Sequence, residues 1–197
     1  MTRPSAFPAT SAQTGALATT LARAFQNEPA FSFIVPDPDA RRNALARAFP
    51  MFVREDMAKG IAYATPGGEA VTLWRAPGQA HDSLWDMIRL FPAYAGSLRA
   101  GLMRGERVAR FIGKHLPAEP VWYLHFAGCD PAYQGQGMGG AAIRAGLARA
   151  DADGVPAYLE TADPDNLGIY AALGFEHVHE WDVPGGPHFC GMQRSPR

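Results

Sequence analysis

The stretch Gln134-Gly135-Gln136-Gly137-Met138-Gly139-Gly140 decides the fold. It lies between an apolar run at residues 121–129 and an alanine-rich helical pattern that begins near Gly137. A strand, a glycine turn and a helix start together form an anion site, because backbone N–H groups converge there unobstructed by β-carbons and the positive end of the helix dipole adds to them. The stretch therefore predicts a bound pyrophosphate and a nucleotide-bearing cofactor.

A dinucleotide-binding fold is one interpretation of these glycines. Gly135, Gly137 and Gly140 match the spacing G-x-G-x-x-G, and Glu160 falls at the distance expected for a ribose-binding acid. In that fold, however, the glycines follow the strand directly, whereas residues 130–134 intervene here. Too little chain follows to build the remaining parallel strands, so the context disfavours this interpretation.

The same segment resembles the cofactor loop of the GCN5-related N-acetyltransferase (GNAT) family. That loop has Gln or Arg, then Gly three residues later, then Gly or Ala two residues after that, and it follows a strand and an x-Pro turn. Gln134, Gly137 and Gly139 fit this order, and Asp130-Pro131 supplies the turn. Downstream of the next expected strand, residues 166–175 (Asn-Leu-Gly-Ile-Tyr-Ala-Ala-Leu-Gly-Phe) resemble the family's N-x-x-x-Y-x-x-x-G-F element. Two motifs in the family's order and spacing make the resemblance specific.

Within that family the chain is similar to the puromycin N-acetyltransferase-like members. Residues 21–25, 28–29 and 35–38 resemble that subgroup's opening helix and acceptor-side loop, while residues 122–124, 154–161 and 184–187 follow its second half. The chain departs from the pattern at Cys129, where the family usually has Val, and in a shortened N-terminus interrupted by prolines. The second departure leaves the formation of the first strand open.

The resemblance implies an α/β fold of the GNAT (acyl-CoA N-acyltransferase) type, with a mixed central sheet flanked by helices in a single N-acetyltransferase domain over residues 1–197. Hydrophobic periodicity predicts helices over residues 12–26, from Asp37 or Asp39 to Met57, 137–153 and 165–173, and two helices within 83–115. The aromatic residues 31–36 interrupt the helical pattern. Strands are expected at 61–65 and 70–75, which form a hairpin, and at 121–129, 157–162, 175–183 and 188–193.

Composition excludes several classes of protein. The chain has 197 residues, of which 47% are apolar, so it is long enough to bury a substantial core. Eighteen basic and nineteen acidic residues give a net charge of −1, which lacks the basic footprint of nucleic-acid or anionic-membrane binding. No apolar run is long enough to cross a bilayer. We therefore expect a cytoplasmic protein with neither nucleic acid nor membrane as a partner.

Cysteines and histidines offer two further interpretations. Cys129 and Cys190 form no C-x-x-C pair, so we expect both to be reduced, and Cys129 has no nearby base in the sequence that would make it an acyl-carrying nucleophile. His177, His179 and His188 suggest a metal, because alternate residues of one strand share a face. No clear fourth ligand accompanies them, so we expect that the protein binds no metal.

The resemblance implies acetyl-CoA as the cosubstrate. It also places a bulge in the cofactor strand near Ala127-Gly128-Cys129, where Gly128 would help the backbone to deviate and free main-chain groups for the pantetheine arm and the thioester oxygen. The cofactor-binding residues that follow from it are Ala127, Gly128, Cys129, Gln134, Gly135, Gln136, Gly137, Met138, Gly139, Gly140, Asn166 and Tyr170.

Acetyl transfer also needs acid and base groups. Tyr170 matches the family tyrosine near the cofactor sulfur, where a phenol can protonate the departing thiolate; a packed core tyrosine is the alternative. Asn166 matches the asparagine that holds the pantetheine amides, although it could instead cap a helix. Glu160 and His125 are both candidates for the general base, and both could instead be buried, hydrogen-bonded strand residues, with water removing the proton.

The predicted function is transfer of the acetyl group of acetyl-CoA to a primary amine of a small molecule by direct attack, in a monomer or homodimer. Two alternatives stay open: acetylation of a protein or peptide, and a non-catalytic CoA-binding or ligand-binding resistance protein. Phe31 and Phe33 suit the cover of a pocket better than an open peptide groove.

Overall fold

A mixed sheet of seven strands runs through the computed structural model, which describes residues 4–81 and 101–197. The strands are β1 (Phe7–Pro8), β2 (Gly60–Ala64), β3 (Ala70–Arg75), β4 (Trp122–Cys129), β5 (Ala157–Thr161), β6 (Glu176–Asp182) and β7 (His188–Arg194). The helices are α1 (Thr14–Ala24), α2 (Pro29–Ile34), α3 (Pro38–Lys59), α4 (Leu102–His115), α5 (Met138–Asp153) and α6 (Leu167–Ala172).

The spatial order of the strands is β1-β2-β3-β4-β5-β7-β6. All neighbouring pairs are antiparallel except β4 and β5, which are parallel. The parallel ladder contains only two residue pairs, Trp122 with Ala157 and Tyr123 with Tyr158. Beyond Tyr123 the two strands diverge, although β4 stays paired with β3 as far as Cys129 and β5 stays paired with β7 as far as Thr161.

The bulge in β4 lies at His125, and the prediction that placed it near Ala127-Gly128-Cys129 is wrong. Leu73 of β3 pairs with Phe126 and Trp74 pairs with Leu124, so His125 is the extra residue. Residues 127–129 pair regularly with β3 instead. One extra residue reverses the alternation of side chains along a strand.

Gly128 serves close packing and not a deviation of the backbone. A β-carbon at this position would approach the side chains of Leu21 and Ala24 to 2.9 Å each. Helix α1 therefore lies directly on the part of β4 that borders the divergence. Only glycine permits that contact distance.

Helices cover both faces of the sheet. On one face, Leu17 and Leu21 of α1 pack with Phe49 and Val53 of α3 against a cluster in β3 and β4 that includes Phe126. On the other face, Ile143 and Leu147 of α5 and Tyr170 of α6 form a second cluster with side chains of the sheet, which are Trp74, Leu124 and Leu159. The approach of α5 is so close that a β-carbon on Gly146 would lie 2.1 Å from the ring of Trp74.

Most of the predicted elements are confirmed, with small differences at their ends. Helix α3 begins where Asp37 accepts a hydrogen bond from the backbone N–H of Ala40, as the capping pattern indicates. The aromatic segment is different, because residues 29–34 form the short helix α2 in place of an interruption. The first strand consists of two residues, Phe7 and Pro8, on the edge beside β2.

The predicted pair of helices over residues 83–115 is described only in part. Its second half is confirmed as α4, and residues 82–100 lie outside the described residues. Within residues 4–81 and 101–197, none of the helices combines the length and the apolar character that crossing a bilayer requires.

Candidate active site

A cleft of about 930 Å³ opens where β4 and β5 separate. Its lining includes all the cofactor and catalytic residues predicted from the sequence except Gln136, which lies on the exposed loop between the lining residues Gly135 and Gly137. The predicted residues on the lining are His125, Ala127, Gly128, Cys129, Gln134, Gly135, Gly137, Met138, Gly139, Gly140, Glu160, Asn166 and Tyr170. The structure therefore brings together residues from both sequence motifs.

The glycine loop has the backbone of an anion site. A short 3-10 turn over residues 131–133 is capped by Asp130, whose carboxylate also pairs with Arg23 of α1 at 2.8 Å. Gly135 and Gly137 then take positive φ angles of 75° and 78°, which favour glycine. Helix α5 begins directly after Gly137, whose carbonyl accepts the first helical hydrogen bond from Ala141. The backbone N–H groups in the first turn of α5 therefore have no partners within the helix. They lie at the end of the helix that borders the cleft.

Cys129 is poorly suited to be a nucleophile. Burial is the main cause that raises the pKa of its thiol, and the neighbouring Asp130 raises it further, while a hydrogen bond from the Gly139 N–H partly opposes the shift. The thiolate is the reactive form of cysteine, so a raised pKa lowers reactivity. The geometry supports the sequence interpretation of Cys129 as a lining residue.

Tyr170 is buried in α6 and its ring packs edge-on against Phe175, with centroids 6.0 Å apart. Burial raises the pKa of its phenol, and the negative charges of Asp163, Glu160 and Glu28 raise it further, so the hydroxyl keeps its proton at neutral pH. Tyr170 lines the cleft, and within the described part of the chain its hydroxyl makes no hydrogen bond. It is available as a proton donor in the cleft.

Glu160 of β5 is a buried carboxyl group on the cleft wall. The Tyr123 hydroxyl donates a hydrogen bond to its Oε1, whereas its buried Oε2 has no partner among residues 4–81 and 101–197. Burial raises the pKa of Glu160 to about 7, against the lowering effects of the Tyr123 hydrogen bond and of Arg75. A carboxyl group that titrates near neutral pH can both accept and release a proton under physiological conditions.

His125 lies at the bulge and is held by an acid that the sequence reasoning missed. Asp56 of α3 is fully buried and contacts His125 Nδ1 at 2.8 Å and Arg75 Nε at 2.7 Å. Although burial opposes ionisation, His125 and Arg75 hold the pKa of Asp56 below its usual range. A signal was present, because Asp56 continues the apolar stripe of Phe49 and Val53 along α3, where a charged residue needs buried partners.

Glu28 is a second acid that the sequence reasoning missed. It caps α2 by accepting a hydrogen bond from the Phe31 N–H at 2.8 Å, and its carboxyl group lines the cleft. Burial is the main cause that raises its pKa, and Asp163 adds repulsion. The Glu28-Pro29 pair was the available signal, because an acidic cap followed by proline at the first helical position indicates a helix start.

Asn166 lines the cleft at the junction of a 3-10 turn, residues 164–166, and α6. Its side chain makes no capping hydrogen bond to α6, so the alternative that it caps this helix is wrong. Its amide nitrogen lies 3.4 Å from Asp163 Oδ2 instead. The carboxamide therefore lies at the cleft beside the acid that caps the preceding turn.

The three histidines considered as a metal set do not come together. His179 Nε2 lies 3.2 Å from the Tyr158 hydroxyl, on the inner side of the sheet, and burial lowers the pKa of its imidazole. His177 of the edge strand β6 and His188 of its neighbour β7 are both exposed. The argument that alternate residues share a face fails for this pair, because a bulge separates His177 from His179.

Comparison with known proteins identifies the family. The model of the acetyltransferase (GNAT) family matches residues 72–175, which is more than half of the chain. The chain therefore belongs to this family and is an acyltransferase. Members of the family use acetyl-CoA as the acetyl donor.

Individual relatives agree with this assignment. An uncharacterized N-acetyltransferase from Schizosaccharomyces pombe is 25% identical over 179 residues, which covers 80% of this chain and 68% of the relative. Among solved structures, the histone acetyltransferase HPA2 and related acetyltransferase from Corynebacterium glutamicum superposes with a TM-score of 0.75 at 24% identity, covering 100% of this chain and 98% of the other. The Drosophila melanogaster polyamine N-acetyltransferase has a TM-score of 0.63 at 17% identity, with 96% and 98% covered. The predicted GNAT fold is confirmed.

The loop geometry gives a test of cofactor binding. A Gly137→Val substitution places a β-branched side chain at a positive φ angle, next to the N–H groups that would hold a pyrophosphate. We expect the dissociation constant for CoA, measured by calorimetry, to increase at least tenfold. Gly185→Val is the matched control, because Gly185 has a similar φ of 68°, open space around it and no place in the cleft. Equal CoA affinity in folded Gly137→Val and in Gly185→Val would contradict a role in phosphate binding.

Proposed function

We propose that this protein transfers the acetyl group of acetyl-CoA to the primary amine of a small, positively charged molecule. The observation that carries the proposal is one cleft that combines an anion-binding loop, a buried carboxyl group that titrates near neutral pH and the Tyr170 hydroxyl, which has no hydrogen-bond partner among the described residues. Binding of the cofactor, removal of the amine proton and protonation of the departing thiolate then each have a group of suitable chemistry.

The cofactor would lie with its pyrophosphate on the loop at residues 134–140. The N–H groups of the first turn of α5 supply hydrogen bonds, and the helix dipole supplies positive potential. The pantetheine arm would then pass between the diverging strands, where residues 127–129 pair with β3 on one side and have no partner in β5 on the other. Asn166 on the opposite wall is suited to the amides of the arm, because a carboxamide both donates and accepts hydrogen bonds.

The reaction begins with a neutral amine whose nitrogen attacks the thioester carbonyl, as the N–C bond forms and the C–S bond breaks. Glu160 would accept the proton that the amine loses, at its Oε2, because the Tyr123 hydroxyl already occupies Oε1. Tyr170 would donate its proton to the departing CoA thiolate. The raised pKa of Tyr170 suits this role, since the group stays protonated until a strong base forms beside it.

Acidic groups on the wall favour a cationic acceptor. The cleft is lined by four acids, Glu28, Glu160, Asp163 and Asp165. Among the described lining residues, Arg23 is the only lysine or arginine. Three of these acids lie close enough to Tyr170 to raise the pKa of its phenol. Such a wall attracts an ammonium group and repels an anionic one. The fold is shared with an enzyme that forms N-acetylagmatine, which is itself a product of a cationic amine.

A panel of acceptors tests the reaction. Free thiol released from acetyl-CoA would be measured with polyamines, arylalkylamines, puromycin, amino acids and peptides, and we expect the highest kcat/KM with small amines that carry a second positive charge. Puromycin is on the panel because of the resemblance to the puromycin N-acetyltransferase-like members, and that resemblance does not by itself make puromycin a substrate. Turnover with peptides alone would identify a protein acetyltransferase, and CoA binding without turnover of any acceptor would identify a non-catalytic binding protein. Either result would overturn the proposal.

Tyr170→Phe separates the ring from the hydroxyl. The ring that packs on Phe175 remains, while the proton donor is lost, so we expect kcat to fall about 10²-fold with nearly unchanged affinity for acetyl-CoA. Tyr63→Phe is the matched control, because Tyr63 is also buried but lies outside the cleft. A Tyr170→Phe enzyme with the wild-type kcat, when chemistry limits the rate, would show that the thiolate leaves without help from this residue.

The pH profile distinguishes the two candidate bases. Burial raises the pKa of Glu160 to about 7, so the ionised, basic form is lost below that pH. We therefore expect kcat/KM to increase with pH along a limb whose midpoint lies near pH 7. In Glu160→Gln we expect kcat/KM to fall about 10²-fold and this limb of the profile to disappear. His125→Gln should keep the limb. The opposite pattern, with the limb lost in His125→Gln and kept in Glu160→Gln, would assign the base to His125.

A further inference from the structure

A second cluster of ligand-type side chains lies on the outer strands, away from the cleft lining. His177 Nε2, a carboxylate oxygen of Glu180 and Cys190 Sγ lie within 4.8 Å of one another. His177 Nε2 is 3.6 Å from Glu180 Oε2, and His188 Nε2 is 3.7 Å from the same oxygen. We call these four residues the edge cluster. It combines two imidazoles, one carboxylate and one thiol.

The register of β6 and β7 explains why these residues converge. Val178 is an extra residue in β6, because His177 pairs with Met192 while His179 pairs with Gly191. The bulge puts His177 on the same face as Glu180 and turns His179 toward the opposite face, where it meets Tyr158. Glu180 pairs directly with Cys190, and His188 is two residues before Cys190 on the same side of β7. The cluster is therefore a product of backbone geometry.

Three of the four side chains, His177, Glu180 and Cys190, already lie within 4.8 Å of one another, and His188, which reaches Glu180, would have to turn to join them around one tetrahedral metal ion. Zinc binds histidine nitrogen and carboxylate oxygen at about 2.0–2.2 Å and cysteine sulfur at about 2.3 Å, so neighbouring ligand atoms are separated by roughly 3.3–3.8 Å. The two imidazole-to-carboxylate distances lie in this range. The side chains of His177, Glu180 and His188 are 47%, 62% and 49% exposed, so small rotations can complete the coordination without a change in the core.

The orientation of His188 is a separate observation that points to a metal. Its Nδ1 lies 3.0 Å from Asp182 Oδ1, so an Nδ1–H group that donates a hydrogen bond to this carboxylate leaves the lone pair on Nε2. Nε2 is the atom that faces Glu180 in the edge cluster. A carboxylate that fixes the tautomer of a ligating histidine is a recurrent support of zinc sites.

We propose that His177, Glu180, His188 and Cys190 bind one Zn²⁺ ion that fastens the edge strand β6 to β7. Two neutral imidazoles, a carboxylate and a thiolate neutralise the charge of the ion. The Cys190 thiol releases its proton to the solvent when the sulfur–zinc bond forms. Burial and the charge of Glu180 raise the pKa of this thiol in the metal-free protein, so binding must displace that proton. The site is independent of the proposed acetyl transfer.

Cobalt gives a direct readout, since Co²⁺ binds the same ligands and reports both its geometry and a sulfur ligand. Metal-free, full-length protein would be titrated with Co²⁺ and followed by absorbance. We expect tetrahedral ligand-field bands and a thiolate-to-cobalt charge-transfer band that saturate at one equivalent and are displaced by Zn²⁺. In Cys190→Ser the charge-transfer band should disappear and the dissociation constant for Zn²⁺ should increase at least tenfold.

Matched variants keep the test specific. Cys129→Ser removes the other cysteine and His81→Gln removes a histidine far along the chain, and both should keep the full spectrum. His177→Gln should weaken Zn²⁺ binding at least tenfold, and the increase in melting temperature that Zn²⁺ causes in the wild type should disappear with it. A wild-type protein without the charge-transfer band, or a band that survives in Cys190→Ser, would overturn the proposal.

Discussion

The short parallel ladder between β4 and β5 is the constraint on which the cleft depends. Two residue pairs hold the strands together, and the strands separate directly after Tyr123 and Tyr158. The separation is stable because each strand keeps its other neighbour, β3 beside β4 and β7 beside β5. Backbone groups that a continuous sheet would consume are thereby exposed in the interior of the molecule, where a ligand can satisfy them. Helix α5 and the glycine loop then lie at the mouth of the same opening.

A layer of buried charge supports one wall of this opening. Arg75 and Asp56 are both almost completely buried and pair with each other, which keeps the Asp56 carboxylate ionised despite the cost of removing it from water. Glu160 lies near the same arginine but has a phenol as its direct partner, and burial dominates its pKa. Two carboxyl groups of one region therefore titrate differently because of their partners. The ionised Asp56 carboxylate holds His125 in place, and Glu160, which can become neutral, lines the cleft.

The sequence predicted the strands, the hairpin and the two motifs well, because their signals are local. Glycine spacing, the Asp37 cap and the short turn between β2 and β3 each depend on neighbours within a few positions. The bulge at His125 was misplaced, since one extra residue in a strand changes its alternation without changing its composition. Asp56 was missed because its partner His125 is 69 residues away. The pKa of Glu160 depends on burial by distant segments, which no local pattern reports.

The acidic wall of the cleft has a consequence for the end of the catalytic cycle. In the proposed reaction the amine acceptor would approach as a cation, and the carboxyl groups of Glu28 and Asp163, which line the cleft, would attract it. Acetylation would convert that amine into a neutral amide, which removes one of the positive charges on which the attraction depends. The same side chains would therefore hold the acceptor more strongly than the acetylated molecule. The product would rebind more weakly for the same reason, so accumulated product would compete less well than fresh amine.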